Sequence, residues 1–308
     1  MLTVGLLVAV IALLADNARH VDWAGVLTSL RNYEASTLAL AAALTACSFA
    51  VYSCFDLLVR SYTKAHMSVA SVMTVTFVSH ALGLNLGVAG VALRFRLYGA
   101  YGIESAVVAR IWGVSIVTNW LGFLVLGGVI FTGQLIALPA SSMLGAPIGA
   151  TAMRGVGLAL LAATALYLAG CALAKGRGFF VFGRPITVPS FRFAALQFIL
   201  SALNWTLIAS VMFVLLRGQI DFPTVLGVYL LSAIALSVVD VPGGLGVTEA
   251  VFLALLGSRV PITELLAALV VYRAVFYLAP MLPALMAYVA IEMGRRARSV
   301  AVAAGLRP

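Results

Sequence analysis

At 308 residues, 63% hydrophobic and 9% charged, with a mean hydropathy of +1.13, this chain cannot cover itself in water; a soluble domain carries roughly 25% charged residues. Its net charge of +9 would suit nucleic acid, but the basic residues sit at the ends of apolar runs rather than along an exposed stripe, which is a membrane-orientation signal. Nucleic acid is excluded as a partner, and long apolar runs without strand alternation exclude an outer-membrane barrel.

The first apolar run, 2–15, lacks a Lys/Arg-rich start and a small-x-small cleavage site, so it reads as a short retained span, not a removed signal peptide. Further crossings are expected at 37–59, 105–131, 153–173, 192–217 and 264–291, each supplying the about 20 apolar residues a span needs. Two other apolar runs, 67–93 and 222–257, are broken internally, the first by "SHALGLNLGVAG" (79–90) and the second by "SVVDVPGGLGVTEAVF" (237–252). The three cysteines, Cys47, Cys54 and Cys171, lie in apolar segments without metal or redox spacing and read as small packing residues.

Basic residues set the orientation. Arg60 and Lys64, the group from Lys175 to Arg192, and the tail from Arg295 to Arg307 mark cytoplasmic segments, while 16–36, 132–152 and 218–221 belong outside. These assignments agree only if each broken run returns to the side it came from. Run 67–93 then dips in from the cytoplasm, with Arg94 and Arg96 emerging there, and run 222–257 dips in from outside. The expected fold is an all-α polytopic membrane protein, a single integral domain over 1–308. It has about six crossings plus two re-entrant helical hairpins, and both termini are cytoplasmic.

The two hairpins also resemble one another. Each gives a glycine break, a half-helix, a turn and a helix with one arginine, in "AVVAR" (106–110) and "LVVYR" (269–273). This predicts an inverted repeat, with cores at 67–131 and 222–291, of the kind that places a transport site near the midplane.

An open backbone in hydrocarbon survives only where protein or a wet cavity covers it. At the second break Pro242 stops the incoming helix, and Gly243, Gly244 and Gly246 permit the turn. A new helix then starts near Val247, with Glu249 three positions after its Gly246 N-cap. Its free N–H groups and positive dipole end suit an anion such as a lipid phosphate; a loop kept only for packing is the plainer reading. Ionisable residues at depth are seldom accidental. Arg94, Arg110 and Arg273 are the expected cations, and Asp240 and Glu249 the expected partners of Arg110 or Arg273. Such pairs would line a substrate site or merely hold the repeats together. Asp56 also counts among the ionisable residues at depth, but Arg60 lies one helical turn away near a cytoplasmic end, and a snorkelling surface pair explains the two about as well. His80, Asn85, Asn119 and Asn204 read as helix–helix hydrogen-bonding residues. No phosphate-binding loop, dinucleotide fingerprint, zinc motif or nucleophile elbow occurs. Neither a catalytic residue, a metal ligand nor a cofactor is assigned.

The blocks "DVPGGLGVTEAVFLALL" (240–256) and "YRAVFYLAPMLPALM" (272–286) resemble the signature of the lysylphosphatidylglycerol synthetase transmembrane-domain family. "YSCFDLLVR" (52–60), "GLNLGVAGVALRFRLYGAYGI" (83–103) and "NWLGFLVLGG" (119–128) resemble its first-repeat blocks, so the likeness covers nearly the whole chain. That family takes in YbhN-like inner-membrane proteins and the flippase half of the multiple peptide resistance factor. The chain departs from it at Ala89-Gly90, where a Gly-Gly pair is usual, and at Phe55-Asp56, where Tyr-Asp is common. No aminoacyl-transferase stretch lies within these residues, so the resemblance implies only the lipid-handling half.

The leading expectation is a non-enzymatic flippase of a bacterial inner membrane, moving an anionic or modified phospholipid headgroup between leaflets. The phosphate would meet Gly243–Val247 and the three arginines, and a homo-oligomer is allowed but not required. Two alternatives stay open: a membrane enzyme acting on a lipid or polyprenyl-linked substrate, and a non-catalytic partner of an envelope-synthesis complex.

Overall fold

The computed structural model describes residues 22–63, 67–136, 149–174, 178–181, 184–239 and 242–303. These are helical apart from turns and one short antiparallel hairpin, β1 (Gly178–Val181) and β2 (Arg184–Thr187), which the sequence pattern does not announce. The helices are α1 (Trp23–Arg31), α2 (Ala35–Thr63), α3 (Val69–Leu86), α4 (Val88–Ala100), α5 (Ser105–Thr132), α6 (Ala150–Ala174), α7 (Phe191–Leu215), α8 (Phe222–Val239), α9 (Val247–Leu256), α10 (Ile262–Tyr272) and α11 (Ala279–Ala303). A π-helical turn, Arg273–Leu278, joins the last two.

Seven helical segments among the described residues are long and apolar enough to cross a membrane. Five are the crossings expected from 37–59 onward; the other two are α3 and α8, the first arms of the two broken runs. The expected span 2–15 lies outside the described residues. Helix starts follow local chemistry. Ser68 Oγ accepts from the Ser71 N–H (3.1 Å) at the head of α3, and Asp221 Oδ2 from the Thr224 N–H (3.0 Å) at the head of α8.

Contacts between helix ends decide how the broken runs travel. At one end of the bundle the Tyr33 hydroxyl donates to the Leu215 carbonyl (2.7 Å), and Arg217 donates to the Asn32 carbonyl (2.7 Å). There too Thr224 donates to the Leu135 carbonyl (3.4 Å), and Gln219 to Glu264. The start of α2, the ends of α5 and α7, and the starts of α8 and α10 therefore share that end. Helix α2, with 29 residues, carries the chain roughly 43 Å to the opposite end, where α3 begins. There Arg96 of α4 meets Glu292 of α11 at 2.7 Å. Segment 69–104 thus leaves and rejoins the far end, and segment 222–261 leaves and rejoins the near end. The arms of each pair pack on one another.

The first break is tighter than the glycine-rich stretch 79–90 suggests. Helix α3 continues to Leu86, and the chain reverses at the single residue Gly87, at φ 58°. Glycines at 83 and 90 bring the two backbones into contact beside it. Helix α7 packs on both α2 and α5. Ser48 donates to Asn204 (2.9 Å), Gln197 to Thr118 Oγ1 (2.6 Å), and the Trp205 indole to the Asn119 carbonyl (2.8 Å), in keeping with the helix-bonding role expected of Asn204. Helix α6 lies at the edge, against α5.

Candidate functional site

The second break is built much as its residues suggest. Helix α8 stops at Val239, residues 240–241 lie outside the described set, and Pro242–Gly244 form one tight turn. Gly243, Gly244 and Gly246 hold φ of 67°, 57° and 83°, a region that side chains disfavour. Glu249 Oε2 accepts the Gly246 N–H at 2.9 Å, closing the helix start. Arg273 reaches in from the π-helical turn. Its Nε donates to Glu249 Oε1 (2.5 Å), Nη2 to Glu249 Oε2 (3.0 Å) and to the Gly244 carbonyl (2.7 Å), and Nη1 to the Gly243 carbonyl. The Tyr277 ring lies 4.9 Å from its Cζ. Pro280 lacks an N–H and its ring crowds the carbonyl one turn back, which loosens the helical ladder where this wider turn forms.

Five expected site residues, Gly243, Gly244, Gly246, Glu249 and Arg273, therefore meet. Every guanidinium nitrogen of Arg273 is used, on a carboxylate and on carbonyls that the turn leaves open. Arg273→Ala and Glu249→Ala should each destabilise the fold, and the double change should cost less than their sum, because either one alone strands a charged partner. Thermal unfolding of the four chains in detergent measures this; strict additivity would count against direct pairing.

The other three expected residues go elsewhere. Asp240 lies outside the described residues. Arg110 is exposed on α5 and makes no ion pair among the described residues, so its expected pairing with Asp240 or Glu249 does not form with Glu249. Its matching "VVxR" pattern does not bring it to the second break, because helix rotation, not spacing, decides which way it faces. Arg94 does not emerge from the bundle. Helix α4 runs on to Ala100 and buries Arg94 at 4% exposure, with Nη2 3.1 Å from Asp56 Oδ1.

Asp56 is fully buried and is not the surface partner of Arg60. Besides Arg94 it accepts from Ser115 Oγ (2.6 Å), Tyr98 Oη (2.7 Å) and Thr76 Oγ1 (2.8 Å). Four helices, α2 to α5, so converge on one carboxylate. The residue pattern offered Asp56 and Arg94 as ionisable residues at depth but not their pairing with one another, nor the three hydroxyls that join them.

Next to this cluster, at the Gly87 reversal, lies a cavity of about 180 Å³ lined by Tyr52, Ser79, His80, Arg94 and Trp112. The Phe49 ring packs against His80 (5.2 Å) and Phe77 (5.7 Å). Phe49 and Phe77 also line an apolar groove of about 580 Å³ between α2, α3 and the Pro280–Pro283 stretch. The two breaks touch where the Leu84 and Asn85 carbonyls face Gly243, and Asn85 Nδ2 also donates to the Tyr277 carbonyl of the π-helical turn at 3.1 Å. Among the described residues no cluster of three or more His, Cys, Asp or Glu could hold a metal ion.

No family model matches the chain. It is 38% identical over 288 residues to the Escherichia coli inner membrane protein YbhN, covering 92% of this chain and 89% of that protein. It is 31% identical over 297 residues to an uncharacterized protein of Synechocystis, covering 94% and 89%.

Proposed function

The chain belongs to the family of the inner membrane protein YbhN, and on that footing we propose that this multi-pass membrane protein moves a phospholipid with an anionic or modified headgroup between leaflets. One observation carries the reading. Two glycine-broken hairpins enter the bundle from opposite ends and their breaks touch, the first break lining a cavity of about 180 Å³ while the groove of about 580 Å³ runs along α2 and α3. Open backbone is tolerated at membrane depth where it lines a cavity, and opposed hairpins meeting at such a site are the architecture of inverted-repeat transporters. The groove has acyl-chain character: Ala42, Ala46 and Ala50 form an exposed strip of small residues along α2, facing Pro283. A lipid can keep its tails there while its headgroup explores the polar interior.

The blocks that resemble the lysylphosphatidylglycerol synthetase transmembrane-domain family supply the lipid class of this proposal. The basic loops orient both termini to the cytoplasm. Without a nucleotide-binding motif in the sequence, movement is passive or ion-coupled.

Purified protein in vesicles of phosphatidylethanolamine and phosphatidylglycerol tests this. Fluorescent phosphatidylglycerol in the outer leaflet should exchange with the inner leaflet faster than in empty vesicles. Correctly inserted protein that leaves exchange at the empty-vesicle rate would overturn the reading. Conversion of the added lipid would favour a membrane enzyme, and neither exchange nor conversion a partner of an envelope-synthesis complex.

A further inference from the structure

We propose that the cavity at the first break binds a phosphate-class oxyanion, and that the second break, which the sequence favours for that role, is a structural lock. The inference rests on the lipid-handling reading for its ligand source, but its chemistry stands on donors that the fold leaves unused.

The two arginines differ in what remains free. Arg273 has committed Nε, Nη1 and Nη2 to Glu249 and two carbonyls, and Glu249 has in turn taken the Gly246 N–H. Four of its five N–H donors are thereby engaged, leaving a single Nη1 N–H. Arg94 spends Nη2 on Asp56 and also hydrogen-bonds the Tyr52 side chain, while its buried Nε has no hydrogen-bond partner. Ser79 Oγ, also buried, has none either. At 4% and 5% exposure neither group has water as an easy substitute, and a buried polar group left unpaired is costly. Both line the same 180 Å³ cavity, with the Tyr52 side chain beside Arg94.

The helix start adds a dipole rather than free donors, because the Gly87 and Gly90 N–H groups already bond the Gly83 and Gly87 carbonyls at 2.8 and 2.9 Å. The 13-residue helix α4 starts at Gly87 without a side-chain cap, and Gly87, Gly90 and Val91 of its first turn line the cavity. The positive end of that helix therefore faces the cavity that Arg94 and Ser79 also line, with the unpaired Nε and Oγ just behind its wall. The bare faces of Gly83 and Gly90 are taken up by one another, so only Gly87 leaves backbone open to a ligand at the cavity. Asp56 balances the charge of Arg94, so affinity depends on directed hydrogen bonds rather than net charge. That favours a tetrahedral oxyanion with several acceptors over a halide. The phosphate of a lipid headgroup and a free phosphate share this chemistry.

The test uses the full chain in nanodiscs of a neutral lipid, with bound lipid counted by native mass spectrometry. Phosphatidylglycerol should be retained in preference to diacylglycerol of the same chains, and inorganic phosphate, but not chloride, should compete. Ser79→Ala, which removes one neutral hydrogen bond, should lower the preference about threefold, and Arg94→Lys, which keeps the charge opposite Asp56 but loses Nε, about tenfold or more. Arg273→Lys should leave it unchanged. Thermal unfolding confirms that each variant is folded. A preference unaltered in folded Ser79→Ala and Arg94→Lys, or lost only in Arg273→Lys, overturns the site. Equal competition by chloride overturns its oxyanion chemistry. Phosphate binding without lipid preference keeps the site and assigns it to a soluble phosphate compound, which removes the link to lipid. Intact binding without leaflet exchange keeps the site and sinks the transport reading instead.

Discussion

Asp56→Ala should produce the largest loss of folded protein of any single substitution at these clusters. The change strands Arg94, 4% exposed, without its counter-charge, and leaves Ser115, Tyr98 and Thr76 without their shared acceptor. Breaking a buried ion pair from one side costs about 3–5 kcal/mol. Asp56→Asn should fall between, since an amide still accepts from some of these hydroxyls but cannot balance the guanidinium. Adding Arg94→Ala to Asp56→Ala should recover part of the loss, because no uncompensated charge is then buried. Thermal unfolding in detergent, with membrane-inserted yield as a second readout, measures all four chains. An Asp56→Ala protein as stable as the wild type would mean that the four-helix convergence contributes nothing.

Gly90→Ala and Gly99→Ala, nine residues apart on the same helix, should move stability in opposite directions. A Cβ at Gly90 would overlap the Gly83 Cα and come within 3.0 Å of the Gly83 nitrogen and 3.2 Å of the Ser79 carbonyl. Those atoms are backbone and cannot swing aside, so α3 and α4 must part. Overpacking of this kind costs about 1–3 kcal/mol, more than the about 1 kcal/mol of helix propensity that alanine returns. A Cβ at Gly99 meets nothing within 4 Å, so only the propensity gain remains. Unfolding midpoints should fall for the first and rise slightly for the second. Gly90→Ala should also weaken phosphatidylglycerol retention, because it spreads the walls of the cavity. Midpoints in the reverse order would show that the two arms do not touch.

The local parts of this architecture were legible in the residues. An apolar run in lipid must satisfy its own backbone, so 37–59, 105–131, 153–173, 192–217 and 264–291 could only be helices. The second break was readable for the same kind of reason. A proline, glycines suited to positive φ, and a glutamate three residues after an N-cap act over a few neighbours, and the observed turn uses each of them. Glu249 also meets Arg273, one of the pairings expected from depth. What tertiary structure decided was the facing of each helix and the fate of each charge. The partners of Asp56 are 20, 38, 42 and 59 residues away in sequence, whereas Arg60, one turn along, is the neighbour that spacing picks out. Arg110 and Arg273 share a pattern, yet one is exposed and the other locked to Glu249 and two carbonyls. Spacing along one helix sets the interval between residues but not the rotation of that helix against its neighbours. That rotation is set by close approaches such as Gly83 against Gly90, and with it which arginine keeps a donor without a hydrogen-bond partner.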